Sequence, residues 1–104
     1  MRILVVNDDS IEAAGIIKLA ALAKELGEVW VVAPDAQCSA MSQRITVRGE
    51  LQLRKRKDFP VEGVEAYSLS GTPADCVKVA VEYLMKDCLP DIVFSGINKG
   101  YNVG

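Results

Sequence analysis

The sequence predicts an α/β domain with a mainly parallel sheet, helices on both faces and one β-hairpin. Three observations predict it. Short apolar runs, Ile3-Leu4-Val5-Val6, Val29-Trp30-Val31-Val32 and Ile92-Val93-Phe94-Ser95, read as strands, the first of them a buried parallel one. Segments with helical spacing of apolar residues stand between strands, and helical crossovers favour parallel pairing. The alternation Leu51-Gln52-Leu53-Arg54 has period two and marks the hairpin.

Residues 2–7 form the first strand. Ser10 can cap a helix over residues 11–26, in which Ile16, Leu19, Ala20, Ala23 and Leu26 share a face and Gly27 supplies the stop. Residues 28–33 are the second strand, closed by Pro34. The stretch 35–43 is small and polar, a loop carrying Ser39 and Ser42, and loops of this kind often carry function. Residues 45–49 and 51–56 form the hairpin, pivoting near Gly49-Glu50. Phe59-Pro60 and Gly63 break the chain before a strand over 65–69. Thr72 at the N-cap and Pro73 at the first helical position open a second helix, whose apolar face Val77, Ala80, Val81 and Leu84 carries it to about residue 86. Pro90-Asp91 leads into the last strand, 92–95, and the segment 96–104 continues without a helical pattern. No repeat or linker divides the chain, so residues 1–104 are read as one domain.

Composition narrows the function. With 50% hydrophobic and 25% charged residues the chain is ordinarily globular, and a net charge of −2 supplies no field for nucleic acid. Three cysteines, Cys38, Cys76 and Cys88, make neither a disulfide framework nor a thiolate zinc site, which fits a reducing cytoplasmic setting; Cys76 and Cys88 read as core residues. The first apolar stretch meets Asp8 too early for a signal peptide, and no run is long enough to span a membrane. Half of the basic residues, Arg44, Arg48, Arg54, Lys55, Arg56 and Lys57, fall in the hairpin region and read as a solvated face. There is no histidine, which removes Ser-His-Asp and Cys-His catalysis and imidazole ligation. Any metal must be held by oxygen, which favours magnesium, manganese or calcium.

The chemistry concentrates in the turns. Asn7-Asp8-Asp9-Ser10 follows the first strand, and ligand crevices in open α/β sheets lie beyond the carboxyl ends of the strands. Two carboxylates about 4 Å apart repel by roughly 4 kcal/mol at an effective dielectric near 20, so a turn holding both suggests a divalent counter-cation. Acids also stabilise a first helical turn, and that reading of Asp8 and Asp9 weighs equally. Parallel strands would gather four turns on one sheet edge: Asn7-Asp8-Asp9, residues 34–42, Ser70-Gly71-Thr72 and residues 95–102. The last, with three glycines and two asparagines in residues 96–104, has a backbone able to cradle phosphate. For Ser70-Gly71-Thr72-Pro73, helix capping alone is the better reading.

Asn7-Asp8-Asp9, Ala33-Pro34 with Ser39 and Ile45-Thr46, Gly71-Thr72-Pro73-Ala74-Asp75-Cys76-Val77, and Ser95-Gly96-Ile97-Asn98-Lys99-Gly100-Tyr101-Asn102-Val103-Gly104 together resemble the successive signatures of the SurE family, the stationary-phase survival protein E nucleotidases. The resemblance runs the length of the chain. It implies a Rossmann-like three-layer fold and divalent-metal-dependent, acid-phosphatase-like hydrolysis of nucleoside 5′-monophosphates or other phosphomonoesters. Matched residue by residue, it implies metal ligation by Asp8, Asp9, Ser39 and Asn98, with Mg²⁺ or Mn²⁺ as the ion. Asp8, Asp9 and Asn98 are then the catalytic set, one of the two aspartates accepting the proton, and Gly96, Lys99, Gly100 and Asn102 the substrate-binding set. Ser10, Ala14 and Ala40 depart from the residues usual in the family. Family members continue well beyond the equivalent of Gly104, so the resemblance is to an amino-terminal portion, incomplete at its carboxyl end. A last strand without a following helix would expose Ile92, Val93 and Phe94, so association into a dimer or tetramer is expected.

A phospho-receiver signalling domain is the alternative, with Ser70 or Thr72 and Lys99 in the accessory parts. It lacks a phosphoacceptor aspartate after a middle apolar strand, since Asp58 follows a basic run. An inactive metal- or phosphate-binding fragment is the third reading.

Overall fold

The computed structural model describes residues 1–7, 11, 13–35, 45–48 and 51–95, with only the backbone described over 45–48. Six strands form one sheet: β1 (Arg2–Val6), β2 (Glu28–Pro34), β3 (Ile45–Arg48), β4 (Leu51–Lys55), β5 (Glu65–Leu69) and β6 (Ile92–Ser95). Their order is β3-β4-β5-β2-β1-β6. The pairs β5-β2, β2-β1 and β1-β6 are parallel, while β3-β4 and β4-β5 are antiparallel. The expected parallel sheet with a hairpin is therefore what forms.

Period-two alternation divides the core between the two faces. Ile3, Val5, Val29, Val31, Ala33 and Ala66 pack with Ile16, Ala20 and Ala23 of helix α1 (Ala14–Lys24). Leu4, Val6, Val32 and Leu69 pack on the other side with Cys76 and Val79 of helix α2 (Pro73–Val79). The β1-α1-β2 crossover moves one way across the sheet and β5-α2-β6 the other. Crossovers of one hand travelling in opposite directions must cover opposite faces, which is how three layers arise from these few elements.

Three details differ from expectation. Helix α1 begins at Ala14 rather than residue 11, and its N-cap is Ala13, with no side-chain hydrogen bond. The cause is Ile11, which is buried and donates its backbone N–H to the Pro34 carbonyl at 3.0 Å, holding that residue against β2 instead of in a helical turn. Leu26, expected on the buried face, is 58% exposed because the helix has already ended at Lys24. Nor does Gly27 supply the stop, since the C-cap is Glu25; Gly27 is required instead by close approach, because a Cβ there would run into the Met1 carbonyl.

The second helix does not run on to residue 86 as α-helix. After Val79 it widens into a π turn, Ala80–Leu84, closed by the Met85 N–H to the Ala80 carbonyl at 2.7 Å. The extra residue in that turn accompanies full burial of Met85 against Leu4, Val6 and Val79. On the edge strand β6, Ile92 and Val93 are 38% and 45% exposed, as expected. Phe94 departs from the expectation and lies partly buried against the α1-side core.

Candidate functional site

The four parallel strands end on one edge, with the register fixing how closely. Val6 of β1 pairs with Ser95 of β6, Val5 with Val31 of β2, and Pro34 of β2 with Leu69 of β5. Chain connections from β1 lead to β2 on one side, whereas β6 is reached only after β5. The order therefore reverses at the β1–β6 boundary, the position where open α/β sheets form their ligand crevice. Asp8 stands two residues beyond Val6 and Asn98 three beyond Ser95 in the chain. Asp8, Asp9, Ser39, Gly96, Asn98, Lys99, Gly100 and Asn102 all lie outside the described residues. Among the described residues no three His, Cys, Asp or Glu side chains gather to hold a metal ion.

The residues flanking that edge are firmly held. Asn7, at the end of β1, is 2% exposed, and so is Ile11, which brackets residues 8–10 from the other side. Asp35 donates its N–H to the Leu69 carbonyl at 3.0 Å, tying the exit of β2 to β5. Ser68, opposite Ala33, is fully buried, and its hydroxyl has no hydrogen-bond partner among the described residues.

The Ser70-Gly71-Thr72 turn is structural, as its sequence suggested. Ser70 Oγ accepts from the Gln52 N–H at 2.8 Å, and Ser70 returns its own N–H to the Gln52 carbonyl at 3.0 Å, joining the turn to the hairpin. Thr72 Oγ1 accepts from the Asp75 N–H at 3.2 Å, while Asp75 Oδ2 accepts from the Thr72 N–H and Oγ1 at 3.0 Å each. This reciprocal capping box satisfies amides that a helix start leaves open. Gly71 is required by close approach, because a Cβ there would lie 2.8 Å from Leu51 Cδ2 and 2.9 Å from Asp75 Oδ2.

Cys76 is inert: burial pushes its thiol up to about 12, and a thiol so protonated is no nucleophile. Cys88 packs at the margin of the same core. The basic face is partly paired, with Lys55 Nζ 3.1 Å from Glu65 Oε1 and 5.8 Å from the Tyr67 ring centroid. The hydrogen bond to Glu65 raises the Lys55 pKa, and burial raises that of Tyr67.

Arg56 departs from the solvated reading of its run. Its side chain is only 10% exposed, with Nε 3.5 Å from Asp58 Oδ1, and with Asp58, Phe59, Pro60, Ile11 and Ile17 it lines a cavity of about 160 Å³. Sequence reasoning missed this group; the one available signal was an aromatic and a proline following a run of charges.

A mostly parallel sheet whose strand order reverses beside β1 defines a Rossmann-like α/β domain. The family described as survival protein SurE matches residues 3–104, and the chain belongs to that family. It is 50% identical to the 5′-nucleotidase SurE of Alkaliphilus metalliredigens, covering 100% of this chain and 41% of that protein. It is 51% identical over 100 residues to the 5′-nucleotidase SurE of Cytophaga hutchinsonii, covering 96% of this chain and 38% of the relative. The crystal structure of the SurE protein from Aquifex aeolicus superposes with a TM-score of 0.74 at 37% identity, covering 100% of this chain and 40% of that one. The chain thus spans about two fifths of the length of these relatives. Among the described residues no helix is long and apolar enough to cross a membrane.

Proposed function

We propose that this chain carries the metal- and phosphate-binding part of a divalent-metal-dependent hydrolase that releases phosphate from nucleoside 5′-monophosphates. The observation that carries the reading is the adjacency of β1 and β6 at the strand-order reversal, in a chain whose relatives are named 5′-nucleotidases. In that register β1 and β6 end beside each other, and in the sequence Asp8-Asp9 follows the one strand and the glycine-rich segment 96–104 the other.

Asp8, Asp9, Ser39 and Asn98 are the ligands in this proposal, and their carboxylate, hydroxyl and amide oxygens suit Mg²⁺ or Mn²⁺. A divalent ion held there would neutralise phosphate oxygens and lower the pKa of a bound water. Asp8 or Asp9 accepts the proton that the attacking water gives up. Backbone N–H groups over 96–100 and the side chains of Lys99 and Asn102 bind the phosphate and offset its developing charge. Cytoplasmic location and self-association as a dimer or tetramer belong to the same proposal.

The receiver reading is disfavoured by three groups. Ser70 and Thr72 already use their hydroxyls in local hydrogen bonds. Asp58 follows the antiparallel strand β4, is 77% exposed and pairs with Arg56, so it ends no middle parallel strand.

Inorganic phosphate release from CMP, AMP and GMP, with and without Mn²⁺, tests the proposal in this chain and in one extended to family length. Asn98→Ala is expected to abolish the metal-dependent part, and calorimetry to show Mn²⁺ binding weakened at least tenfold in Asp8→Asn and Asp9→Asn. Phosphate release indifferent to chelator and to Asn98→Ala would overturn it.

A further inference from the structure

Helix α1 is apolar on more sides than the sheet can cover. Between Ala14 and Lys24 only Lys18 and Lys24 carry charge, and a helix apolar nearly all round is normally covered on both sides. One side is packed, since Ile16, Ala20 and Ala23 lie buried in the α1-side core. The opposite side is uncovered. Lys18, Ala21, Leu22 and Glu25 stand at i, i+3, i+4 and i+7, so they share one face, and all four are exposed, Leu22 by 61%. Leu26, 58% exposed, prolongs that face past the end of the helix.

The order of charges on this face selects what covers it. A cation precedes, and an acid follows, one small and one large apolar residue. In two antiparallel helices, a two-fold axis passing between Ala21 and Leu22 sets Lys18 opposite Glu25 of the second copy, Glu25 opposite its Lys18, and Leu22 against its Ala21. Parallel packing would instead set like charge against like. Neither Lys18 nor Glu25 has an ion-pair partner among the described residues. Glu25 is moreover the C-cap residue, at the helix end where the dipole disfavours an acid, and a facing cation offsets that cost.

We propose that the outer face of α1 is a self-association surface whose occupant is a second copy of this chain, docked antiparallel about a two-fold axis between Ala21 and Leu22. The assignment gives a surface to the self-association proposed above and rests on that part of it, not on the phosphate chemistry. One helix face is smaller than the roughly 1,200 Å² of a stable specific interface, so the dimer is weak, with a Kd of about 10⁻⁴ M. At micromolar protein the chain is a monomer, and Leu22 is then an ordinary exposed side chain.

Sedimentation equilibrium of this chain, from micromolar protein to about 1 mM, tests the assignment. A monomer–dimer equilibrium is expected, and Leu22→Asp, at a side chain outside the core, is expected to abolish it. Lys18→Glu alone and Glu25→Lys alone each set like charges against each other at both ends of the helix pair and should weaken the dimer about tenfold. Mixed together, the two single variants present opposite charges to each other and should associate as the parent does, as should the double variant Lys18→Glu/Glu25→Lys. That rescue distinguishes a second copy docked about this axis from any other occupant. A dimer indifferent to Leu22→Asp, or single variants that mixing does not rescue, overturns this surface and leaves self-association through another face standing. A chain that is monomeric at every concentration overturns both. A dimer that is lost when the chain is extended to family length would put a later segment on this face and overturns the assignment too.

Discussion

Ile11→Ala tests whether the chain after the Asp8-Asp9 turn is docked as described. Ile11 is 2% exposed in the α1-side core and its N–H is committed to the Pro34 carbonyl. The substitution removes three carbons, and at about 0.8 kcal/mol per buried methylene the transfer loss is roughly 2.4 kcal/mol. A void normally adds to this, giving about 2–5 kcal/mol in all. Here the removed atoms border an existing cavity, so the new space joins one already present, and the expected loss is at the low end, about 2–3 kcal/mol. Urea unfolding monitored by the single tryptophan, Trp30, measures it; that side chain packs on the opposite face and reports the global transition. The midpoint should fall with the m-value unchanged. A loss below about 1 kcal/mol would refute the docking of this segment, provided Leu22→Ala, at a side chain 61% exposed, stays within about 0.5 kcal/mol.

Thr72→Ala should cost about 1 kcal/mol by removing the hydroxyl half of the capping box, and Thr72→Ser should restore most of it; equal stability of all three proteins in the same urea assay would count against the cap. Cys76 gives a pH dependence. Its folded pKa of about 12 lies above the ordinary 9.0, so the unfolded chain ionises first as pH rises. Stability is therefore undiminished by this group below pH 9.0 and declines as pH climbs toward 12, a slope that Cys76→Ala should remove in alkaline unfolding curves.

Much of the fold was legible because burial on both faces leaves strands no freedom of composition. The runs at 3–6 and 29–32 could hardly be anything but central strands, and β5 over Glu65–Leu69 and β6 over Ile92–Ser95 lie where the pattern put them. The hairpin and the Thr72 cap were legible from period and from local chemistry. The start of α1 was not, because its delay comes from a hydrogen bond to Pro34, twenty-three residues further along the chain. Nor was the π turn, since helical spacing alone cannot say that Met85 will be drawn into the core by one additional residue. At the site, the sequence identified the strand ends that converge and the SurE signatures upon them. It gave no warning that Arg56, inside a basic run, would turn inward beside Phe59, because charge patterns describe what a segment contains and not which way each side chain leaves it.

The pairing of β1 with β6 also has a kinetic meaning. The Arg2 N–H donates to Asp91 Oδ2 at 2.7 Å, and the Asp91 N–H to the Arg2 carbonyl at 2.7 Å, contacts that span 89 residues of chain. By contrast β1 meets β2 after one helix. Closing the longer loop carries the larger entropy cost and can be rewarded only once the intervening elements are in place. The crevice at the strand-order reversal is thus the last part of the sheet to assemble. A ladder that closes last across so long a stretch of chain should also open before the β1–β2 ladder, and amide exchange compared between Ile92–Ser95 and Val29–Val31 would show the order.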